Sequence, residues 1–326
     1  MLRQDRKAGT VAVIAHQKKT MGGGLDELRR LLAEEGVEDL LWHEVPKSKK
    51  APKQLRKVLK DGHVDLVVVW GGDGMVQRCV DVLAGSGVTM AIIPAGTANL
   101  FARNLGIPED LPEAVRIAFH GESRKLDLGK VNGEHFAVMA GLGFDAEMIK
   151  DADRGLKDRL GRAAYFWTGL RHVRGELVHM EVKLDKTTWF EGEASCLLLG
   201  NVGTITGGIE AFDDAKPDDG WLEIGVTTAS GPIQWARVLG RMSAGRSDES
   251  PFIRMTRARK IRVKLAAPMS YELDGGAKGT VTELKAKVVP GGITVRVPVA
   301  AGDEPDRTVE HPGDREHPDG RADGRS

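Results

Sequence analysis

Short apolar runs and amphipathic stretches alternate over the first third of the chain. TVAVIA at residues 10–15 reads as a buried strand. After the glycines at 22–24, Leu25, Leu28, Leu31 and Leu32 recur at helical spacing and stop near Gly36. Leu40 to Val45 reads as a second strand. Leu55, Val58 and Leu59 mark one face of a short basic helix. Asp65 to Trp70 is a third strand. Met75, Val76, Cys79, Val80 and Leu83 form a helix stripe, and Met90 to Ile93 a fourth strand. Strand and helix in alternation predict an α/β domain with an open parallel sheet covered on both faces.

The pattern changes after about residue 125. Alternating, Gly- and Val-rich segments follow at Glu134–Gly143, His179–Leu184, Glu193–Leu199, Leu222–Thr227, Lys260–Leu265, Lys285–Val289 and Ile293–Val297. Many strands with turn residues between them predict a β-sandwich or barrel, interrupted by one helix over Leu156–Arg174. The expected division is 1–128 for the α/β domain, 129–300 for the β-rich domain and 301–326 for a tail. That tail has too few apolar residues to order itself.

Charge narrows the function. The 47 basic and 47 acidic residues cancel, so nucleic acid is not an expected partner. Cys79 and Cys196 lie far apart in apolar contexts and read as reduced core thiols, as in a cytoplasmic protein. No apolar run approaches the roughly 20 residues that span a bilayer, so any membrane contact is peripheral.

The chemistry concentrates where the third strand stops, at Gly71-Gly72-Asp73-Gly74. Ligands of open α/β sheets bind beyond the carboxyl ends of the strands. Glycines admit a ligand close to the backbone, and the following helix offers free N–H groups to a phosphate. The dinucleotide pattern fails because Gln77 stands where its last glycine would be, and no Gly-Lys-Ser/Thr follows. An ordinary tight turn with Asp73 as N-cap remains the alternative. The next strand also ends in a polar glycine loop, whose Gly96, Thr97 and Asn99 could donate to phosphate oxygens.

GGDG followed by P-x-GT-x-N-x-x-A-x-x-LGIP (Pro94–Pro108) resembles the catalytic superfamily of diacylglycerol kinases, bacterial lipid kinases and sphingosine kinases. GLGFDA (141–146), LKDRLGRAAY (156–165), PDDGWLEIGV (217–226) and YELDGG (271–276) extend the resemblance over nearly all of residues 10–298. It implies an NAD kinase-like, Rossmann-like first domain and transfer of the γ-phosphoryl of ATP to a lipid hydroxyl. The implied nucleotide contacts are Gly71, Gly72, Asp73 and Gly74, running on through Met75 and Val76 to Gln77, with Thr97 in the second loop. His16, Gln17 and Lys18 stand where the family has an Asn-Pro loop. A Mg²⁺ is implied at Asp219 with the carbonyls of Lys216 and Trp221.

One departure concerns the chemistry itself. The bacterial Asp-Gly-Glu reads Asp274-Gly275-Gly276 here, so the position of the proposed base carries no carboxylate. By the resemblance Asp274 is the first choice for base and Asp73 the second. Glu272 would share a face with Asp274 if the strand continues through both. The resemblance puts the lipid near the Leu156–Arg174 helix, whose apolar and basic residues suit an anionic lipid surface at the inner face of the membrane. A homodimer is left open. The rival readings are a non-catalytic nucleotide- or lipid-binding member and an NAD kinase-like enzyme with a soluble acceptor.

Overall fold

The computed structural model describes residues 9–37, 39–143, 177–205, 209–243 and 250–299. The expected Leu156–Arg174 helix and the tail from 301 lie outside them.

The first elements follow the apolar pattern. They are β1 (Val11–His16), α1 (Gly24–Glu34), β2 (Leu40–Val45), α2 (Ala51–Asp61), β3 (Leu66–Gly71), α3 (Asp73–Leu83) and β4 (Thr89–Pro94). The four strands pair in parallel in the order β2-β1-β3-β4. All six residues of β3 are buried, as a central parallel strand with both faces covered requires. Two helices follow, α4 (Leu100–Asn104) and α5 (Leu111–His120). Asp110 caps α5 by accepting the Glu113 N–H at 3.0 Å.

The β-rich half begins with β5 (Glu122–Val131), β6 (Glu134–Phe136) and β7 (Met139–Leu142). It continues through β8 (Val178–Leu184), β9 (Thr187–Ala194), β10 (Cys196–Gly200), β11 (Thr204–Ile205) and β12 (Ile209–Glu210). After β13 (Leu222–Thr227) comes a helix, α6 (Gly231–Ser243), then β14 (Ile253–Ala258), β15 (Lys260–Leu273) and β16 (Gly276–Val297). Among the described residues one 14-stranded sheet runs β14-β13-β10-β7-β15-β16-β4-β3-β1-β2, with β5 and β6 reached through β16, and β8 and β9 through β15. It folds on itself as a sandwich around Phe136, Met180, Val182, Leu197, Ile224, Val263 and Leu273.

β16 joins the two halves. Its end pairs in parallel with β4, at Thr294 and Thr89, and Ile293, Val295 and Val297 belong to the core of the first four strands. The segments 285–289 and 293–297, which read as two strands, are one strand with an irregularity between Val289 and Ile293. Both cysteines are free and buried, and burial pushes the Cys79 thiol up to about 12.

Candidate active site

The two glycine loops touch each other. A Cβ on Gly72 would lie 2.9 Å from the Gly96 Cα, and one on Gly96 only 2.4 Å from the Gly72 Cα. Only a pair of glycines allows the ends of β3 and β4 to approach so closely. A Cβ on Gly71 would strike Met75, whereas one on Gly74 would meet open space. Packing therefore explains Gly71, Gly72 and Gly96 but not Gly74.

Asp73 binds the loops together. Its Oδ1 accepts the Leu100 N–H at 2.6 Å, so it caps α4 rather than the helix it begins. Burial raises its pKa above the usual carboxylate range, against backbone hydrogen bonds that lower it. Asn99 adopts a left-handed conformation (φ 48°) and turns its side chain back into its own loop. Its Oδ1 accepts from Gly96 N at 2.8 Å, and its Nδ2 donates to Gly96 O and to Glu109 Oε1, both at 3.1 Å. Asn99 therefore shapes the loop, and Thr97 stands exposed on it.

Other expected contacts divide in the same way. Met75 and Val76 are buried in the core, and Gln77 donates to His135 O at 2.8 Å, fastening α3 to β6. His16 ends β1 beside Gly71, and its Nδ1 accepts the Lys18 N–H at 3.2 Å. Burial, then Lys19 and Lys18, lower the His16 pKa. The Gln17 side chain reaches Glu44, and Lys18 is exposed.

The β15–β16 turn brings a second carboxylate to the loops. Asp274 and Gly275 both have positive φ, 46° and 74°, as a two-residue type I′ turn demands. Asp274 Oδ2 accepts from Ala137 N at 2.9 Å, and Oδ1 from Val138 N at 2.8 Å and Met139 N at 2.9 Å. Burial, with Asp73 contributing, pushes its pKa up to about 6 despite those bonds. Glu272 is fully buried, with neither carboxylate oxygen hydrogen-bonded. Burial, with Asp274 contributing, pushes it up to about 7. Asp73, Asp274 and Glu272 thus form an electrostatically coupled series. The strand stops at Leu273, so a turn and not simple alternation places Asp274. Gly276 opens β16, and a Cβ there would lie 3.2 Å from Leu273 O.

Two positioning residues escaped the sequence reading. Buried Asp127 accepts from Gly220 N at 2.6 Å and Gly291 N at 2.7 Å, and its N–H donates to Pro217 O at 2.6 Å. Asn201 Nδ2 donates to Asp127 O and Ala137 O, both at 2.9 Å, bracing the segment that holds Asp274. Each is a polar residue in or at the end of an apolar strand run, which is the only signal sequence offers.

The expected cation position is a tight turn. Asp219 Oδ1 accepts the Trp221 N–H at 3.0 Å, and Arg124 pairs with Asp218. Burial, with Asp219 and Asp214 contributing, raises the Glu223 pKa, so negative potential gathers there. Among the described residues no group of three or more His, Cys, Asp or Glu is placed to hold a metal. One carboxylate with backbone carbonyls is the donor type that a hard cation takes.

Residues 10–131 match the model of the diacylglycerol kinase catalytic domain, and 138–297 that of the YegS C-terminal NAD kinase beta sandwich-like domain. The Pseudomonas aeruginosa protein named probable lipid kinase YegS-like is 32% identical over 303 residues, 89% of this chain and 95% of that one. The chain belongs to the diacylglycerol kinase catalytic family. A Bacillus subtilis family member named diacylglycerol kinase is 32% identical over 219 residues, 65% of this chain and 71% of that one. A Bacillus anthracis structure from the same family superposes with TM-score 0.75 at 26% identity, over 89% of this chain and 97% of that one. The chain spans 62% of the length of a Synechocystis relative to which it is 30% identical. The likeness to an Archaeoglobus fulgidus NAD kinase, 10% identical with TM-score 0.51, is one of fold alone.

Proposed function

We propose that this member of the lipid kinase-like family transfers the γ-phosphoryl of ATP to the hydroxyl of a diacylglycerol- or sphingosine-like lipid. The observation that carries the reading is the junction of the two glycine loops, capped by Asp73 and coupled to Asp274. Phosphoryl transfer depends mainly on positioning and on stabilising charge. The backbone at the start of α3 and around Gly96 receives the phosphates, and His16 and Lys18 border them. Asp274, with its proton affinity raised, accepts the acceptor hydroxyl's proton, with Asp73 as the alternative. Asp274 in turn raises the proton affinity of buried Glu272. Mg²⁺ at Asp219 and the carbonyls of Lys216 and Trp221 would hold the turn that Asp127 grips. No helix among the described residues is long and apolar enough to cross a membrane. On the lipid kinase reading, the chain is cytoplasmic and meets its lipid peripherally at the inner face.

Three N–H groups already occupy Asp274, and Gly276 supplies no carboxylate. These observations favour the second reading, a member that binds nucleotide without turnover. Radiolabelled ATP with a panel of lipid acceptors separates the two. Phosphorylated lipid from wild type and none from Asp73→Asn supports the kinase. ATP binding without product from any lipid supports the binding protein.

A further inference from the structure

The outer face of the β5-β16-β15-β8 sheet places like charges directly across from each other. Lys260 pairs with Lys287, and Lys287 with Lys130. One pair along, Arg262 stands between Lys285 and Lys183. Along these strands, about 4.8 Å apart, the central positions of both rows are cationic, with Asp185 and His135 flanking the first row and Asn132 the second. Directly opposed like charges destabilise a sheet. In the second row the charge is partly met: Arg262 and Lys285 reach Glu283, and Lys183 reaches Glu181. In the first row, among the described residues, no ion pair reaches Lys130, Lys260 or Lys287. Asp185 bonds Lys260 there through its backbone N–H. Lys260 and Lys287 are exposed, and Lys130 partly so.

We propose that this face docks on an anionic lipid bilayer. A row of three lysines without ion pairs, beside a second row only partly neutralised, complements a surface of negative headgroups. A chain of zero net charge lacks the general basic excess of a nucleic-acid binder. The choice of a bilayer over another anionic surface rests on the lipid kinase reading; the positive lattice does not. The face lies at the opposite end of the β15–β16 hairpin from the Asp274–Gly275 turn, so it anchors the chain and does not feed the site.

The test is co-sedimentation of the full chain, without ATP, with phosphatidylcholine vesicles containing or lacking phosphatidylserine. Binding should require phosphatidylserine and weaken with salt. Each lysine near such a surface contributes about 1 kcal/mol, or roughly fivefold. The Lys130→Gln/Lys260→Gln/Lys287→Gln variant should therefore bind about 10²-fold more weakly. Its melting temperature should equal or exceed that of wild type, because repulsion is relieved. Lys53→Gln/Lys57→Gln/Lys60→Gln on α2 removes the same charge and should leave binding intact. Equal binding to both vesicles, an unaffected sheet variant, or an equal loss in the α2 variant would overturn the proposal. So would tighter binding to duplex DNA than to the vesicles. Kinase activity in detergent micelles is read separately, so failure here leaves the kinase reading standing.

Discussion

Glu272 carries a raised proton affinity because it is buried without a partner, and that gives stability a direction with pH. The folded state holds the proton to about pH 7, whereas an exposed glutamate releases it near 4.5. The folded state therefore binds more protons between those values, and stability falls as pH rises through the window. Glu272→Gln mimics the protonated form. Its thermal melt should match wild type at pH 4.5 and exceed it at pH 8, by up to about 3 kcal/mol from the shift. A difference independent of pH would show that Glu272 is not held as a neutral acid. Gly276 gives a prediction about rate. A glutamate there restores the carboxylate that the family resemblance implies, and only Leu273 O crowds its Cβ. If proton removal limits turnover, Gly276→Glu should raise kcat by as much as about 10²-fold. Asp274→Ala is a poor companion, since it strands three buried N–H groups at about 1–3 kcal/mol each. Asp274→Asn keeps one acceptor oxygen but sets its NH2 against a buried N–H, so it should lower kcat and cost about 1–3 kcal/mol of stability, less than the alanine. A flat kcat in both variants would remove the β15–β16 turn from the chemistry.

Elements were legible where one physical cause fixed them. β1 to β4 and α1 to α3 announced themselves because buried parallel strands need continuous apolar runs and surface helices need a stripe. β5 was missed because Glu122 to Lys125 are exposed and polar, and only its second half is buried. β14 was missed because its residues alternate weakly, whereas the Gly231–Ser243 helix carries Trp235, Val238, Leu239 and Met242 at helical spacing and was passed over in a segment read for strands. The glycine loops were found as a motif, but their mutual contact could not be seen in one dimension. That contact separates two roles. Gly96→Ala must push against the Gly72 backbone, so it should cost about 1–3 kcal/mol of stability as well as ATP affinity. Gly74 meets nothing and lies in α3, so Gly74→Ala should raise stability by roughly 0.5–1 kcal/mol while weakening ATP binding. Melting and nucleotide titration of both variants check this. Unchanged ATP affinity in Gly74→Ala would mean that phosphate does not approach the start of α3.

At the scale of the molecule, sequence order and folding unit diverge. The division expected at 128–129 follows the change in texture, yet β16 returns from the far end of the chain to lie between β4 and β5. No local pattern reports such a return, because pairing between residues 89 and 294 leaves no periodic trace at either place. It has a thermodynamic consequence. Ile293, Val295 and Val297 are buried in the core of the first four strands. At about 1.5–3 kcal/mol per fully buried branched side chain, these three contribute roughly 6 kcal/mol. That is comparable to the whole stability of a typical domain, about 5–15 kcal/mol. A fragment ending at residue 131 also leaves β5 with neither of its partners and opens an edge on β4. Fragment 1–131 should therefore show no cooperative melt by circular dichroism and poor dispersion in its amide NMR spectrum. Co-expression with 132–326 should recover a soluble complex with a single transition. If fragment 1–131 alone melts cooperatively, the β16 contribution to its core is dispensable, and the α/β segment is a folding unit in its own right.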